Sequence, residues 1–181
     1  MIAIENITMY DYISEEKGVL LNILENKKKI SEEFVNCLTS NDIKEIIISG
    51  SGTSYHAALA ARFFLERILN IRVRAEYPMM FKDLQTIYYP NNTIFIGISQ
   101  GGQSQSTCKA LQKAREHGAF TIGISENCNA NIFNYSDIQI LMECGPELSV
   151  AKTKGYIAMM GILFILGIEG AKTKKLLESA E

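Results

Sequence analysis

The stretch Ile46–His56, IIISGSGTSYH, decides how this 181-residue chain folds. Three isoleucines form a β-branched run that ends at a cluster of Ser, Gly and Thr, and an alanine-rich helical pattern follows at once. This order is typical of a buried parallel strand, a tight turn and a helix whose first backbone N–H groups face a ligand. Those groups have no partner inside the helix, and the helix dipole adds partial positive charge to them. The turn therefore suits an anion, and a phosphate group fits it best.

The same succession of apolar run, short connection and helical pattern recurs along the chain. Strands that alternate with helices in this way predict a parallel sheet with helices on both faces. Ligands of such sheets bind beyond the carboxyl ends of the strands, near the point where the strand order reverses. The five expected strands are 45–49, 73–77, 93–99, 120–125 and 137–142.

Two helices are expected in a lead of about residues 9–40, before the first strand. Apolar residues of the first helix fall near one face, which would pack across the sheet or against a partner; they are Ile13, Leu20, Leu21 and Leu24. The second helix is expected from Ser31 to Leu38, and a long apolar helix followed by a short lysine-flanked one would close the chain. No linker or repeat interrupts the pattern, so residues 1–181 are interpreted as one domain.

The composition argues against several classes of function. The formal net charge is −2, and the one basic cluster, Lys27–Lys29, is interpreted as closing a helix, so no nucleic-acid partner is expected. The longest apolar stretch, 157–168, is shorter than the roughly 20 residues of a membrane helix, and no signal peptide is evident. Four scattered cysteines and two histidines predict neither a metal site nor disulfides, and they suit a reducing cytoplasm. No cofactor is expected.

Three of the expected strand-to-helix turns are rich in hydroxyl groups, carboxamides and glycine. They are Ser51–Ser54, Ser99–Ser104 and Ser149–Ala151, and all should open on the same edge of the sheet. The first two contain no lysine or arginine, so neutral donors and helix dipoles would bind the anion. Turns of this composition also serve as plain connectors, but two of matched chemistry favour a shared ligand.

The familiar nucleotide-binding motifs fit these turns poorly. A P-loop needs Gly-Lys-Ser/Thr, which is absent, and a dinucleotide fingerprint needs a third glycine where Tyr55 stands. A small polyol that carries a phosphate matches the hydroxyl and amide donors better.

Three motifs together resemble the sugar isomerase (SIS) domain family. They are SGTSYHA at 51–57, ISQGGQSQST at 98–107 and GPELSVAKTKG at 145–155, in order and at the proper spacing. The chain is most similar to the first of two SIS copies in the isomerase half of glucosamine-6-phosphate synthases, and to related deglycases and aminosugar deaminases. The resemblance implies an α/β fold, a three-layer αβα sandwich whose five-stranded parallel sheet has the flavodoxin-like order 2-1-3-4-5.

The resemblance also implies which residues would bind a hexose 6-phosphate or an aminosugar phosphate. The phosphate would lie on the second turn and the sugar near the first turn and the backbone of the third; these residues are Ser99, Gln100, Gly101 and Ser104 for the phosphate, and Thr53, Ser54 and Val150 for the sugar. The synthases usually carry Ser-Gln-Ser-Gly-Glu-Thr in the second turn, whereas this chain has Gly101 and Gln103 at two of those positions. One phosphate hydroxyl is lost, and we expect binding to survive.

The residues for catalysis are less complete than the residues for binding. Moving a carbonyl between two sugar carbons needs a base and usually a ring-opening group, tasks that suit a glutamate and a histidine. In relatives, by the resemblance, these come from the second SIS copy and a neighbouring subunit. Glu147 is either a local base or a structural carboxylate, and His56 either opens the ring or serves the core or a cap. His117 is expected to end a helix, while Lys152 and Lys154 either face the sugar or flank a helix.

Two functions therefore remain open from the sequence. The chain is either part of a phosphosugar isomerase, deaminase or deglycase, or it is a non-catalytic sugar-phosphate sensor. In the first case its site would be completed by a homodimer or by a second SIS copy. The apolar surface of the 157–168 helix and of the N-terminal pair favours such a partner.

Overall fold

A computed structural model describes residues 7–149 and 151–174 of the chain. Within these residues the backbone forms five strands, six α-helices and one 3₁₀ helix. Their order is α1 Met9–Glu25, α2 Lys27–Ser40, β1 Glu45–Gly50, α3 Thr53–Leu69, β2 Arg72–Glu76, α4 Pro78–Leu84, β3 Thr93–Ile98, α5 Gln105–Glu116, β4 Phe120–Ser125, the 3₁₀ helix Asn131–Tyr135, β5 Ile138–Leu141 and α6 Lys154–Thr173.

All five strands are parallel and lie in the order β2-β1-β3-β4-β5, which confirms the predicted fold class. Ile48 of β1 is in register with Ala75 of β2 on one side and with Ile96 of β3 on the other. The strand order reverses between β1 and β3, because the chain first adds β2 on one side and then β3, β4 and β5 on the other. A ligand crevice is expected at the carboxyl ends of these two strands.

Helices cover both faces of the sheet, as the apolar strands require. Ile46 and Ile48 join the core that includes α1, α2, α3 and α6, whereas Ile47 packs on the opposite face with α4, α5 and the 3₁₀ helix. Helix α3 approaches the sheet closely because its inward residues are small and fully buried; they are Ala57, Ala58 and Ala61. The left-handed Asn70 ends α3, and Gly118 follows α5 with a φ of 81°.

The apolar face predicted for α1 packs on the fold only in part, with Leu20 next to Gly161 of α6. The buried residues of this helix are Tyr12, Val19 and Ile23. The face predicted from the sequence stays 38% to 53% exposed and comprises Ile13, Leu20, Leu21 and Leu24. Two apolar strips lie side by side on α1, and helical periodicity alone does not say which of them meets the core.

The position predicted for the basic cluster Lys27–Lys29 was wrong. These lysines form the first turn of α2 rather than the last turn of a preceding helix, so α2 begins four residues before the predicted Ser31. Asn26 separates α1 from α2 by a single residue, a break too short to read from composition. Lys29 is paired with Glu143 at 2.9 Å, beyond the end of β5.

Helix α6 is the apolar helix expected near the end of the chain. By length and composition alone it could cross a membrane, but 61% of its most apolar stretch is buried inside the fold, against α1, α2 and α3. It continues to Thr173, through the start of the predicted lysine-flanked helix. The rest of that predicted helix, 175–181, lies outside the described residues.

Candidate functional site

A cavity of about 190 Å³ opens at the carboxyl ends of β1 and β3, where the strand order reverses. Its apolar members, Ile98 and Met159, are fully buried. Most of the other lining side chains carry hydroxyl or amide groups. The complete lining is Ser51, Thr53, Ser54, Ile98, Ser99, Gln100, Ser104, Lys152 and Met159.

The turn after β1 is built for close approach of the backbone. A side chain at Gly50 would place its Cβ 2.6 Å from Cβ of Ser54, so only glycine fits there. Gly52 has a φ of 56°, a conformation that glycine adopts without strain. Helix α3 begins directly afterwards at Thr53. The N–H groups of Ser54 and Tyr55 donate to the carbonyls of Ser51 at 3.2 Å and Gly52 at 3.0 Å, so these donors of the first turn are already paired.

The turn after β3 is fixed by hydrogen bonds to the neighbouring β4 connection. The carbonyl of Gln100 accepts from the Ser125 hydroxyl and from the Glu126 N–H, both at 3.0 Å. The carbonyl of Gly102 accepts from the Ile132 N–H at 3.2 Å. These hydrogen bonds tie the second turn to the β4 connection.

Ser104 is both a lining residue and the N-cap of α5. Its hydroxyl oxygen accepts from the Thr107 N–H at 3.4 Å and from the Thr107 hydroxyl at 2.9 Å. The N-terminus of this twelve-residue helix therefore lies at the cavity wall. Its dipole and unpaired N–H groups favour negative charge at that wall.

Glu147 lies behind the cavity and caps α6. The side chain is 6% exposed, and its carboxylate accepts from the N–H groups of Thr153 at 2.6 Å and Gly155 at 3.0 Å. It also accepts from the Thr153 hydroxyl at 2.9 Å and from Nε2 of Gln100 at 3.4 Å. Burial raises the pKa of this carboxyl, but the hydrogen bonds from Thr153 and Gly155 outweigh burial, so the pKa lies below its ordinary value.

Gln100 is held between the second turn and the first turn of α6. A Cβ at Gly155 would lie 2.3 Å from its Oε1, so the absence of a side chain there makes room for the carboxamide. Oε1 is buried and has no hydrogen-bond partner among the described residues.

Two lysines follow the third turn, Lys152 before α6 and Lys154 as its first residue, and their surroundings differ. Lys152 lines the cavity, and its ammonium group donates to the backbone carbonyl of Glu147. Lys154 is 3% exposed, pairs with Glu15 of α1 and lies 5.0 Å from the ring centroid of Tyr12. The Tyr12 hydroxyl accepts from the Leu148 N–H at 3.0 Å, so α1 supports the third turn from behind.

The two histidines lie apart from the cavity lining. His56 is exposed on the first turn of α3, with its ring centroid 6.1 Å from that of Tyr55. His117 is the C-cap of α5, as predicted, and its Nδ1 lies 2.8 Å from the carbonyl of Lys113. Among the described residues, no group of three or more His, Cys, Asp and Glu side chains is placed to hold a metal ion.

The structure brings most of the predicted site residues to one cavity. Gly101 stands apart, at the exposed tip of the second turn, and Val150 lies outside the described residues. Sequence reasoning singled out neither Met159 nor Ile98, since each reads as a core residue. The predicted residues that share the cavity are Thr53, Ser54, Ser99, Gln100 and Ser104.

A donor-lined cavity at the switch point of a five-stranded parallel sheet defines an α/β small-molecule-binding domain. Within that class the chain belongs to the SIS domain family, whose family profile matches residues 41–166.

Named relatives agree with this assignment. The chain is 31% identical over 182 residues to a glutamine–fructose-6-phosphate aminotransferase (isomerizing) of Aquifex aeolicus and 33% identical over 172 residues to that of Campylobacter jejuni. Both alignments cover 93% of this chain, which spans 31% and 29% of those relatives' lengths.

Solved structures share the fold. A crystal structure from Clostridium difficile 630, named as a proposed phosphosugar isomerase, superposes with a TM-score of 0.87 at 34% identity, over 96% of this chain and 50% of that one. The C-terminal domain of the Francisella tularensis glucosamine-fructose-6-phosphate aminotransferase gives a TM-score of 0.82 at 23% identity, over 93% and 48%. At 23% identity, the similarity to the Francisella tularensis domain shows a shared fold only.

Proposed function

We propose that this SIS domain binds a hexose 6-phosphate or an aminosugar phosphate, as part of a sugar-phosphate isomerase, deaminase or deglycase. The observation that carries the proposal is the convergence of two hydroxyl-rich turns and the N-terminus of α5 on one cavity at the switch point. Hydrogen bonds to a charged oxygen contribute about 1.5–3 kcal/mol each. A few of them, on a preformed turn, give useful affinity without an arginine.

In this proposal the second turn binds the phosphate and the first turn binds the sugar. Ser99, Gln100 and Ser104 surround the phosphate next to the dipole of α5, whereas Gly101 lies at the exposed tip of this turn, outside the cavity lining. The sugar lies against the first turn and the backbone of the third, through Thr53, Ser54 and Val150. The relatives whose names specify fructose 6-phosphate support this class of ligand.

We further propose that the described residues supply binding rather than a complete catalytic set. The carboxylate of Glu147 is already bonded to the N-terminus of α6, and a base needs a lone pair directed at the substrate. Neither His56 nor His117 lines the cavity. The base and the ring-opening group would then come from a second copy of this chain or from a second SIS unit.

The test is ligand-induced thermal stabilisation. Fructose 6-phosphate or glucose 6-phosphate should raise the Tm of the wild-type chain. Isomerisation in a coupled assay should be negligible if the missing groups come from a second SIS unit rather than from a second copy of this chain. The double variant Ser99→Ala and Ser104→Ala should lose this rise. Removal of the Ser104 cap itself costs about 1 kcal/mol, so each variant is compared with its own ligand-free Tm.

The matched control is Ser14→Ala with Ser40→Ala, two exposed serines of α1 and α2. It should retain the full ligand-induced rise. An equal rise in the Ser99/Ser104 variant would place the ligand elsewhere. Turnover by the purified chain would show that its own residues, in one copy or in two, supply the base.

We also infer a homodimer located in the cytoplasm. The exposed apolar strip of α1 is surface that a second copy would cover. The four cysteines are all unpaired, which suits a reducing compartment. Burial raises the pKa of the Cys37 and Cys144 thiols to about 11, so they are protonated at neutral pH.

A further inference from the structure

Lys152 is the one formally charged side chain among the described residues that line the cavity. The other lining residues are serine, threonine, glutamine, isoleucine or methionine. The sequence predicted a cavity of neutral donors, because the first two turns contain no lysine or arginine. The structure adds a cation from the third turn, at the side of the cavity formed by the start of α6.

The ammonium group of Lys152 is hydrogen-bonded to the chain beside the cavity. Lys152 is partly buried and donates to the backbone carbonyl of Glu147. The Glu147 carboxylate accepts hydrogen bonds from the N–H groups of Thr153 and Gly155. Lys152 bonds to the backbone carbonyl of Glu147 and not to this carboxylate. An ammonium group keeps two further N–H donors once one is used.

Lys154, two residues further on at the start of α6, is a structural lysine and provides a comparison. It is buried and paired with Glu15. Lys152 has a carbonyl as partner instead of a carboxylate, so its full positive charge is left to act on the cavity.

We propose that Lys152 binds the anionic group of the ligand and makes the cavity select phosphorylated over unphosphorylated sugars. This inference rests on the proposed function and adds a charged contact to its neutral donors. A charge-assisted hydrogen bond in a half-buried cavity is stronger than a neutral one and is weakened by salt. In this proposal the phosphate on the second turn is contacted by the N-terminus of α5 and also by the ammonium group of Lys152, which lines the same cavity as Ser99 and Ser104.

The experiment is calorimetric titration with fructose 6-phosphate, with fructose as the uncharged probe, at low and high sodium chloride. The informative pair is Lys152→Gln, which keeps a donor for the Glu147 carbonyl but loses the charge, and Lys152→Arg, which keeps the charge. Lys28→Gln removes the same charge from an exposed position on α2 and is the matched control.

We expect Lys152→Gln to weaken binding of fructose 6-phosphate roughly tenfold to a hundredfold. Its Kd should also depend less on salt than the wild-type Kd does, whereas Lys152→Arg and Lys28→Gln should keep the wild-type salt dependence. Equal Kd values and equal salt dependence in Lys152→Gln and wild type would overturn the proposal for Lys152 alone. Absence of sugar-phosphate binding in the wild type would instead overturn the proposed function.

A second measurement needs no variant. Reductive methylation of lysines in the wild-type chain, read by mass spectrometry, should modify Lys152 several-fold more slowly when fructose 6-phosphate is present. The modification of Lys28 should be unchanged. Equal modification of Lys152 with and without a saturating ligand would contradict its contact with the phosphate.

Discussion

At the scale of the residue, Glu147 shows how a sequence can supply a catalytic residue type without its geometry. A glutamate in a ligand-binding turn is a natural candidate for a base, and the sequence left that alternative open beside a structural one. The structure favours the structural alternative, because four hydrogen bonds from Thr153, Gly155 and Gln100 converge on the carboxylate. Those donors come from positions that only the folded chain brings together.

Replacement of Glu147 by glutamine should therefore destabilise the fold and weaken sugar-phosphate binding. The new amide group would face an N–H donor, and a buried donor left without an acceptor costs about 1–3 kcal/mol. Urea unfolding at pH 7 measures this loss. Glu143→Gln is the control, since its ion pair with Lys29 is exposed and contributes at most about 1 kcal/mol.

The free energies of unfolding of the wild type and of Glu147→Gln should differ less at acidic pH. The folded-state pKa of Glu147 is lowered, so its carboxylate contributes stability that is complete above the unfolded pKa of about 4.3 and is lost as the pH falls through the folded value. The difference between wild type and Glu147→Gln should shrink steadily below pH 4.3. A difference that stays constant down to pH 3 would mean that the ionised form is not the stabilising one.

At the scale of the element, most of the sheet could be predicted from the sequence. Continuous β-branched runs such as Ile46–Ile48 favour a strand buried on both faces, and the glycine-rich turns that follow them directly support this assignment. The hydroxyl residues of those turns could be predicted as lining for the same reason. The contact of Gln100 with α6 could not be predicted, since it depends on how closely a helix fifty residues later packs on the second turn.

Gly155→Ala tests this contact between elements. The added Cβ would lie 2.3 Å from Oε1 of Gln100, so the carboxamide must leave its place between Glu147 and α6. The displaced end is a flexible side chain, so we expect a small change in ligand-free Tm and a clear loss of the ligand-induced rise. Differential scanning fluorimetry with and without fructose 6-phosphate measures both.

The control for that variant is Gly18→Ala on α1, where an added Cβ meets nothing within 4 Å. It should stabilise the chain by about 0.5–1 kcal/mol through helix propensity and leave the ligand-induced rise intact. A full rise in Gly155→Ala would show that Gln100 need not stay in place for binding.

At the scale of the whole molecule, the packing of a single chain does not explain why apolar side chains of α1 are exposed. The sequence predicted an apolar face there, and the structure leaves its residues 38% to 53% exposed. Of these residues, Leu20 also lies next to Gly161 of α6. Periodicity finds apolar strips but not their partners. We interpret the uncovered strip as the contact surface for a second copy.

Substitution of Leu21 and Leu24 by lysine should then convert a dimer into a monomer at micromolar concentration, as measured by sedimentation velocity. Both side chains are about half exposed, so the folded chain tolerates the change. Glu25→Lys adds charge at the end of the same helix and should leave the dimer intact. A wild-type chain that sediments as a monomer would remove this proposal and leave a second SIS unit as the partner.

The contacts of α1 with the third turn have a consequence for the order of assembly during synthesis. Tyr12 and Glu15 are made early, yet they bond to Leu148 and Lys154, which leave the ribosome more than a hundred residues later. The wall of the cavity that carries Lys152 is therefore the last to be completed. Nascent chains arrested before α6 has emerged from the ribosome should not bind a sugar phosphate, even though β1 to β5 have already emerged.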